Sequence, residues 1–335
     1  MSSRRPDRAS LVRIATLAMA TLSVVALATP AHAQEGEEPG TWRFTDDTKA
    51  VKVVVIGGSV SAYPAGSFAQ WLPAVCRDIE IVNRGKAKLG AADLRRRFTA
   101  QVLKNRRIDE ATKKKTWLLF LGGLNSIGTP ETTNLDLAKT FKAAKDAGLS
   151  TMGVTINPWG SETDHRWQGI DGLAYWEHSQ RAVDFLLGRL NPAQAFGEAI
   201  AKTMADPSRF DAGQLPDIAV DVWDGPLRDL TAAPRDLDKL RRGAKRSTWV
   251  KKRLDKLPDG ERPAALEALL QRASELPRWF MRQDFVAFDP IHPNAQGHKE
   301  IARAICSKAP PTWGCACAEL DRLTWDRRTN QPKAP

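Results

Sequence analysis

Between Val51 and Gly57 the chain reads VKVVVIG, a largely β-branched run that stops at Gly57, Gly58 and Ser59. The run lacks the alternation of a strand with one wet face, so it reads as a strand buried on both sides, which belongs in a parallel sheet with helices above and below. The rest of the chain keeps that rhythm. IEIVN (Ile79–Asn83), TWLLFLGG from Thr116, LSTMGVTINP from Leu149 and DIAVDVWDG from Asp217 read as four more strands. Helical segments separate them: Ala65–Cys76, Ala91–Lys104, NLDLAKTFKAAKDAG with Asn134 as cap and Gly148 as stop, LAYWEHSQRAVDFLLGRL, and a last helix, Ala295–Cys306. Strands alternating with helices predict an α/β fold with one central parallel sheet.

The two ends and one internal segment depart from this pattern. Arg4, Arg5, Arg8 and Arg13 precede the apolar stretch Ile14–Pro30, and Ala31 and Ala33 occupy the small positions before Gln34. That order predicts a secretory signal peptide over 1–33, cut after Ala33, and hence a secreted or periplasmic protein with no membrane span in the mature chain. Residues 34–48 are acidic and glycine-bearing and read as a flexible lead-in. The α/β domain is expected over 49–308. It is interrupted by a helical, charged insertion at about 225–283, and a Cys/Pro-containing tail spans 309–335. The net charge is +11. Much of the excess lies between Arg235 and Lys256, where ten Lys and Arg face three Asp. Such a segment is either a solvated helical face or a contact for an anionic envelope polymer. No nucleic-acid module accompanies the charge, and no nucleic-acid partner is expected. An exported chain meets oxidising conditions, so Cys76, Cys306, Cys315 and Cys317 should form disulfides. Cys315 and Cys317 are too close to pair with each other. One should join Cys306 and the other Cys76, because the first and last helices of such a sheet commonly share a face.

Ligands of open parallel sheets bind beyond the carboxyl ends of the strands, and there the polar residues gather. Ser59 follows the first strand, Asn125 lies in GGLNS after the third, and Asp289 and His292 share one turn in FDPIHPNAQGH. A serine becomes a nucleophile when a histidine takes its proton, and a carboxylate on the other ring nitrogen fixes the tautomer. Backbone N–H groups and an amide side chain can hold the oxyanion that forms. Serine at a strand-to-helix turn also serves as a helix cap. His165 and His178 are runner-up bases, and His298 reads as structural. No third ligand completes a metal site.

Taken in order, GGSVS, GAADL, GGLNS and DPIHPNAQGH resemble the four sequence blocks of the SGNH hydrolases, the GDSL-type esterases and lipases. The resemblance covers roughly Val51 to Ile305, insertion excepted. It implies a three-layer α/β/α sandwich around a parallel five-stranded sheet, flavodoxin-like, and ester hydrolysis with no metal or organic cofactor. It also implies Ser59 as nucleophile, His292 as base and Asp289 as its orienting carboxylate. The oxyanion hole would comprise Ser59 N–H, Gly90 N–H and the Asn125 side chain, with Gly85 as the alternative to Gly90. Two positions depart from the family: Gly58 and Ser126 stand where aspartates are common.

The loop after the fourth strand carries Trp159, Trp167 and Trp176. These are candidate substrate contacts, able to stack on sugars, or else side chains that pack the loop down. Export, aromatics and a basic insertion together point to removal of short O-acyl (acetyl) groups from a carbohydrate or envelope polymer. A lysophospholipase or lipase acting on lipid esters is the alternative. A non-catalytic SGNH-like protein that binds an anionic polysaccharide is the alternative of another class.

Overall fold

The computed structural model describes residues 38–334; the expected signal peptide, its cleavage point and residues 34–37 lie outside them. Five strands form one parallel sheet: β1 (Val51–Gly57), β2 (Ile79–Asn83), β3 (Thr116–Leu121), β4 (Ser150–Val154) and β5 (Ile218–Val220). Their order is β2-β1-β3-β4-β5. All neighbours are parallel, with Val53 opposite Ile81 on one side and Trp117 on the other.

Alternate residues of β1 enter opposite cores. Val53 and Val55 pack with Phe68, Trp71, Ile301 and Ile305 on one face. Val54 and Ile56 pack with Leu94, Phe98, Leu137 and Phe141 on the other. All four β1 side chains are fully buried, which at ~1.5–3 kcal/mol for each buried aliphatic side chain explains the missing polar alternation. One outer layer therefore holds the Phe68–Trp71 and Ala295–Lys308 helices. The other holds Ala91–Phe98, Pro130–Asp146 and Asp171–Leu186. This is the expected three-layer α/β/α sandwich.

Local differences have local causes. The Pro130–Asp146 helix starts a turn before Asn134, with Pro130 in its first turn, where a missing N–H costs nothing. Asn134 is buried instead and donates to the Ala195 carbonyl. Gly148, at φ +80°, does end the segment. The lead-in is anchored from its first described residues onward: Gly40 N–H bonds Ala100 O, the Asn105 amide bonds Trp42 O, and Trp42 and Phe44 lean on the second face. Two aromatic side chains thus override an acidic, glycine-bearing composition.

The insertion folds as three helices, Leu237–Ala244, Thr248–Leu254 and Arg262–Ser274. They close a third core around Trp159, Trp167, Trp223 and Phe280. The expected disulfides are present as Cys76–Cys315 and Cys306–Cys317. They fasten a tail that ends in a small antiparallel hairpin, Thr324–Asp326 with Gln331–Lys333. Among the described residues no helix is long and apolar enough to cross a membrane.

Candidate active site

In this strand order the topological switch point lies between β1 and β3, and the crevice beyond their carboxyl ends is the expected ligand site. The turn after β1 is tight. A Cβ on Gly57 would stand 2.1 Å from Leu121 O and from Ser61 Oγ, so only glycine fits there. Gly58 N–H and Ser61 Oγ both donate to Leu121 O, and Ala62 N–H bonds Gly58 O. Ser59 projects from this turn. The cap of the following helix is Ser67, which leaves the Ser59 hydroxyl free for other chemistry.

Its partner comes from the far end of the chain. Ser59 Oγ lies 2.7 Å from His292 Nε2. His292 Nδ1 lies 2.9 Å from both Asp289 carboxylate oxygens. An ionised carboxylate only accepts, so Nδ1 carries the hydrogen and Nε2 is left to accept from the serine. The loop holding this pair is closed by Ala287 N–H to His292 O and by Asn294 N–H to Phe285 O. The N–H groups of Ile291 and His292 also donate to Asp289 Oδ1 at 2.9 Å. Three donors on one carboxylate hold its orientation and its charge.

Asn125, in the turn after β3, lines the same cleft as Ser59 and His292. Its amide nitrogen donates to Leu89 O at 3.1 Å, and it would lie 3.5 Å from a Cβ on Gly58. Gly90 caps the Ala91–Phe98 helix, and Leu89 before it shares a small pocket with Ser59 and Asn125. Among the described residues neither Ser59 N–H nor Gly90 N–H has an acceptor. Gly85 is different: its N–H is taken by Asn83 Oδ1 and a Cβ there would strike Ala62 N. Ser126 accepts from Ala91 N–H and from the Thr133 hydroxyl while donating to Gly123 O, so a neutral hydroxyl joins the turn after β3 to the helix that Gly90 caps.

The cleft holds about 580 Å³, and its walls are mainly apolar: Ala62, Tyr63, Pro64, Ala65, Ala87 and Phe288. The Phe288 ring stacks on His292, centroids 5.0 Å apart, while staying 75% exposed. Burial and the nearby Asp289 charge both push the Tyr63 phenol upward. Lys88 also lines the cleft with φ +67°, a left-handed backbone that a lysine rarely adopts. Sequence reasoning missed Tyr63 and Phe288, although each sits within four residues of a predicted catalytic group, in SVSAY and FDPIH. It also missed Asn157, whose side-chain amide donates to Ile291 O, and Gly160, whose N–H donates to Pro290 O. Both brace the Asp289–His292 loop from behind.

The tryptophans require a correction. Trp159 and Trp167 are fully buried, in edge-to-face contact at 4.9 Å, with Trp159 Nε1 bonded to Ser179 Oγ. They pack the third core and touch no cleft. Trp176 is half-buried and lines a separate groove with Glu177 and Arg181. Part of the basic segment is also inward. Arg235 is buried, donates to the carbonyls of Trp167 and Pro277, and is lowered by that burial to about 10. Arg241 and Arg253 pair with Glu267 and Glu177, whereas Arg242, Lys245, Arg246 and Lys252 remain exposed. His165 lies exposed beside Asp164, His178 beside Tyr175 in the third core, and His298 fully inside the first. None of the three is at the site.

No known family profile matches this chain, and no curated protein matches it. Solved structures similar to it include a GDSL-like lipase from Bacteroides thetaiotaomicron, at 12% identity over 76% of this chain and 86% of that one, TM-score 0.40. A member of the lipolytic G-D-S-L family from Veillonella parvula is 12% identical over 77% and 97%, TM-score 0.41. A catalytic mutant of an acetylxylan esterase from Geobacillus stearothermophilus is 15% identical over 82% and 98%, TM-score 0.40.

Proposed function

We propose that the chain is a serine ester hydrolase of the SGNH type, acting on short O-acyl groups of a carbohydrate or envelope polymer outside the cytoplasm. One observation carries the reading: Ser59 Oγ, His292 Nε2 and Asp289 form a continuous hydrogen-bonded line at 2.7 and 2.9 Å. Ser59 Oγ attacks the ester carbonyl while its proton passes to His292 Nε2, and Asp289 stabilises the imidazolium. The carbonyl oxygen becomes an oxyanion that takes hydrogen bonds from Ser59 N–H, Gly90 N–H and the Asn125 amide. His292 then gives its proton to the leaving alkoxide. Water, deprotonated by the same ring, cleaves the acyl-serine and restores the hydroxyl, giving one acid and one alcohol. Apart from substrate and water, every group in this cycle belongs to the chain itself.

The two disulfides support an oxidising compartment, and the exposed cations of the insertion suit an anionic surface nearby. A second reading draws on the cleft. Its apolar walls and volume exceed what an acetyl group fills, which favours longer acyl chains and keeps lipid esters in contention. The test is hydrolysis of 4-nitrophenyl acetate, butyrate and dodecanoate by the protein and by Ser59→Ala, with fluorophosphonate labelling of both. Ester cleavage and labelling that vanish in the variant support the serine mechanism, and the chain-length profile chooses between acyl classes. A protein that neither cleaves nor labels, yet retains glycan, would be a binding module.

A further inference from the structure

The cleft at Ser59 does not end at Phe288. The same ring forms a wall of a second groove of about 380 Å³ that contains Glu162, Thr163, Arg278 and Trp279. Trp279 and Gln283 in turn belong to a third groove, of about 560 Å³, that reaches Asp229, Thr231 and the 85%-exposed Leu230. Three neighbouring grooves thus share wall side chains from the serine to the flank of the insertion, a succession that a chain-like ligand could follow.

The chemistry of the site assigns a direction to that track. His292 must protonate the leaving alcohol, so the alcohol lies on the imidazole side of Ser59, and Phe288 covers that imidazole. The acyl group then takes the opposite side, against Ala62, Tyr63 and Ala87. The walls change character accordingly. Beyond Phe288 they carry a hydroxyl, an amide and charges largely neutralised in pairs, Arg278 with Glu162 and Arg282 with Asp284. Trp279 is held in place by its indole N–H to Asp229 Oδ2 at 2.7 Å and by backbone pairing with Ser161. Flat rings set among balanced, directional polar groups fit the faces and hydroxyls of sugar units. They fit neither an acyl tail, which wants apolar walls, nor a polyanion, which wants unpaired cations.

We infer that the Phe288–Trp279–Leu230 track is a set of subsites for the alcohol portion of the substrate, a glycan chain of several units that bears the acyl group. This rests on the esterase reading above, and the test separates the two. With 4-nitrophenyl acetate, whose leaving group ends near Phe288, the track is idle. With chemically O-acetylated cello-oligosaccharides it is filled progressively, so kcat/KM should rise about tenfold or more from two units to six. Trp279→Ala, and independently Gln283→Ala on the exposed rim, should remove most of that gain and leave 4-nitrophenyl acetate turnover within about twofold. A length-independent kcat/KM in the wild type, or loss of both substrates in equal measure in correctly folded variants, overturns the track while leaving the esterase intact. Calorimetric binding of cellohexaose and cellobiose to Ser59→Ala reads the subsites without any catalysis. Tighter binding of the hexamer, lost in Ser59→Ala/Trp279→Ala, supports them even if no ester is cleaved, and equal binding of both sugars overturns them.

Discussion

His298 makes a sharp test of how this core responds to acid. It sits in the last helix, fully buried against Tyr63 and Phe68, and neither ring nitrogen has a partner among the described residues. Burial, and secondarily His292, lower it from 6.5 to about 3. The sign follows from linkage. Between pH 6.5 and about 3 the unfolded chain binds a proton at this residue and the folded chain does not, so stability falls as pH falls. Each pH unit in that window costs about 1.4 kcal/mol, hence roughly 3 kcal/mol between pH 7 and pH 4, a large share of an ordinary domain's stability. Every other carboxylate and histidine also titrates there, so the quantity to measure is a difference. Urea unfolding of the wild type and of His298→Leu, a close match in volume, should be compared at pH 8, 6, 5 and 4. The gap between them should move in favour of the leucine variant by roughly 3 kcal/mol from pH 7 to pH 4. Parallel curves over that range would show that the ring is hydrated or protonated in the fold, and the reasoning would fail.

Asp289→Asn should keep the fold but present the wrong imidazole tautomer to Ser59, lowering kcat on 4-nitrophenyl acetate by about 10³–10⁴; a loss under tenfold would remove Asp289 from the mechanism. Trp159→Ala should cost about 3–5 kcal/mol of stability in denaturant titrations, as for any sealed indole, with KM unchanged in whatever fraction stays folded; the opposite pattern would restore it as a substrate contact. Cys76 and Cys315 are 239 residues apart and Cys306 and Cys317 only 11, so chain entropy makes the first bridge worth ~5 kcal/mol and the second ~3. Scanning calorimetry of the two alanine double variants should rank them in that order.

What could be read in advance followed the range of the interactions involved. Strand β1 was legible to the residue, because a strand sealed on both faces writes its burial into five of its first six positions, Val51 and Val53 to Ile56. The Asp289–His292 pair was legible because its hydrogen bonds are local, three residues apart. That Cys76 and Cys306 each bridge to the tail followed from which helices share a face, while the choice between Cys315 and Cys317 is made only by the folded tail. Trp159 stayed ambiguous because a sealed indole and an exposed stacking platform look identical in one dimension. The difference lies with Ser179 and Phe280, distant parts of the chain that close over it. The cleft walls escaped for the same reason: Tyr63 and Phe288 are 225 positions apart in the numbering and meet only across the finished crevice. Asn134 looked like a cap because asparagine favours caps, but a proline four residues earlier had already opened the helix.

The hydrogen bond between Ser59 and His292 spans 233 residues. On the proposed mechanism, the growing chain makes the nucleophile early and its base nearly last. An unfinished chain that stops before His292 would therefore carry a serine with nothing to take its proton, and would be chemically silent however well its sheet had formed. Contacts this distant close late in folding, so esterase activity itself becomes a stopwatch for the final step of folding. Its lag after refolding measures when the last helix docks.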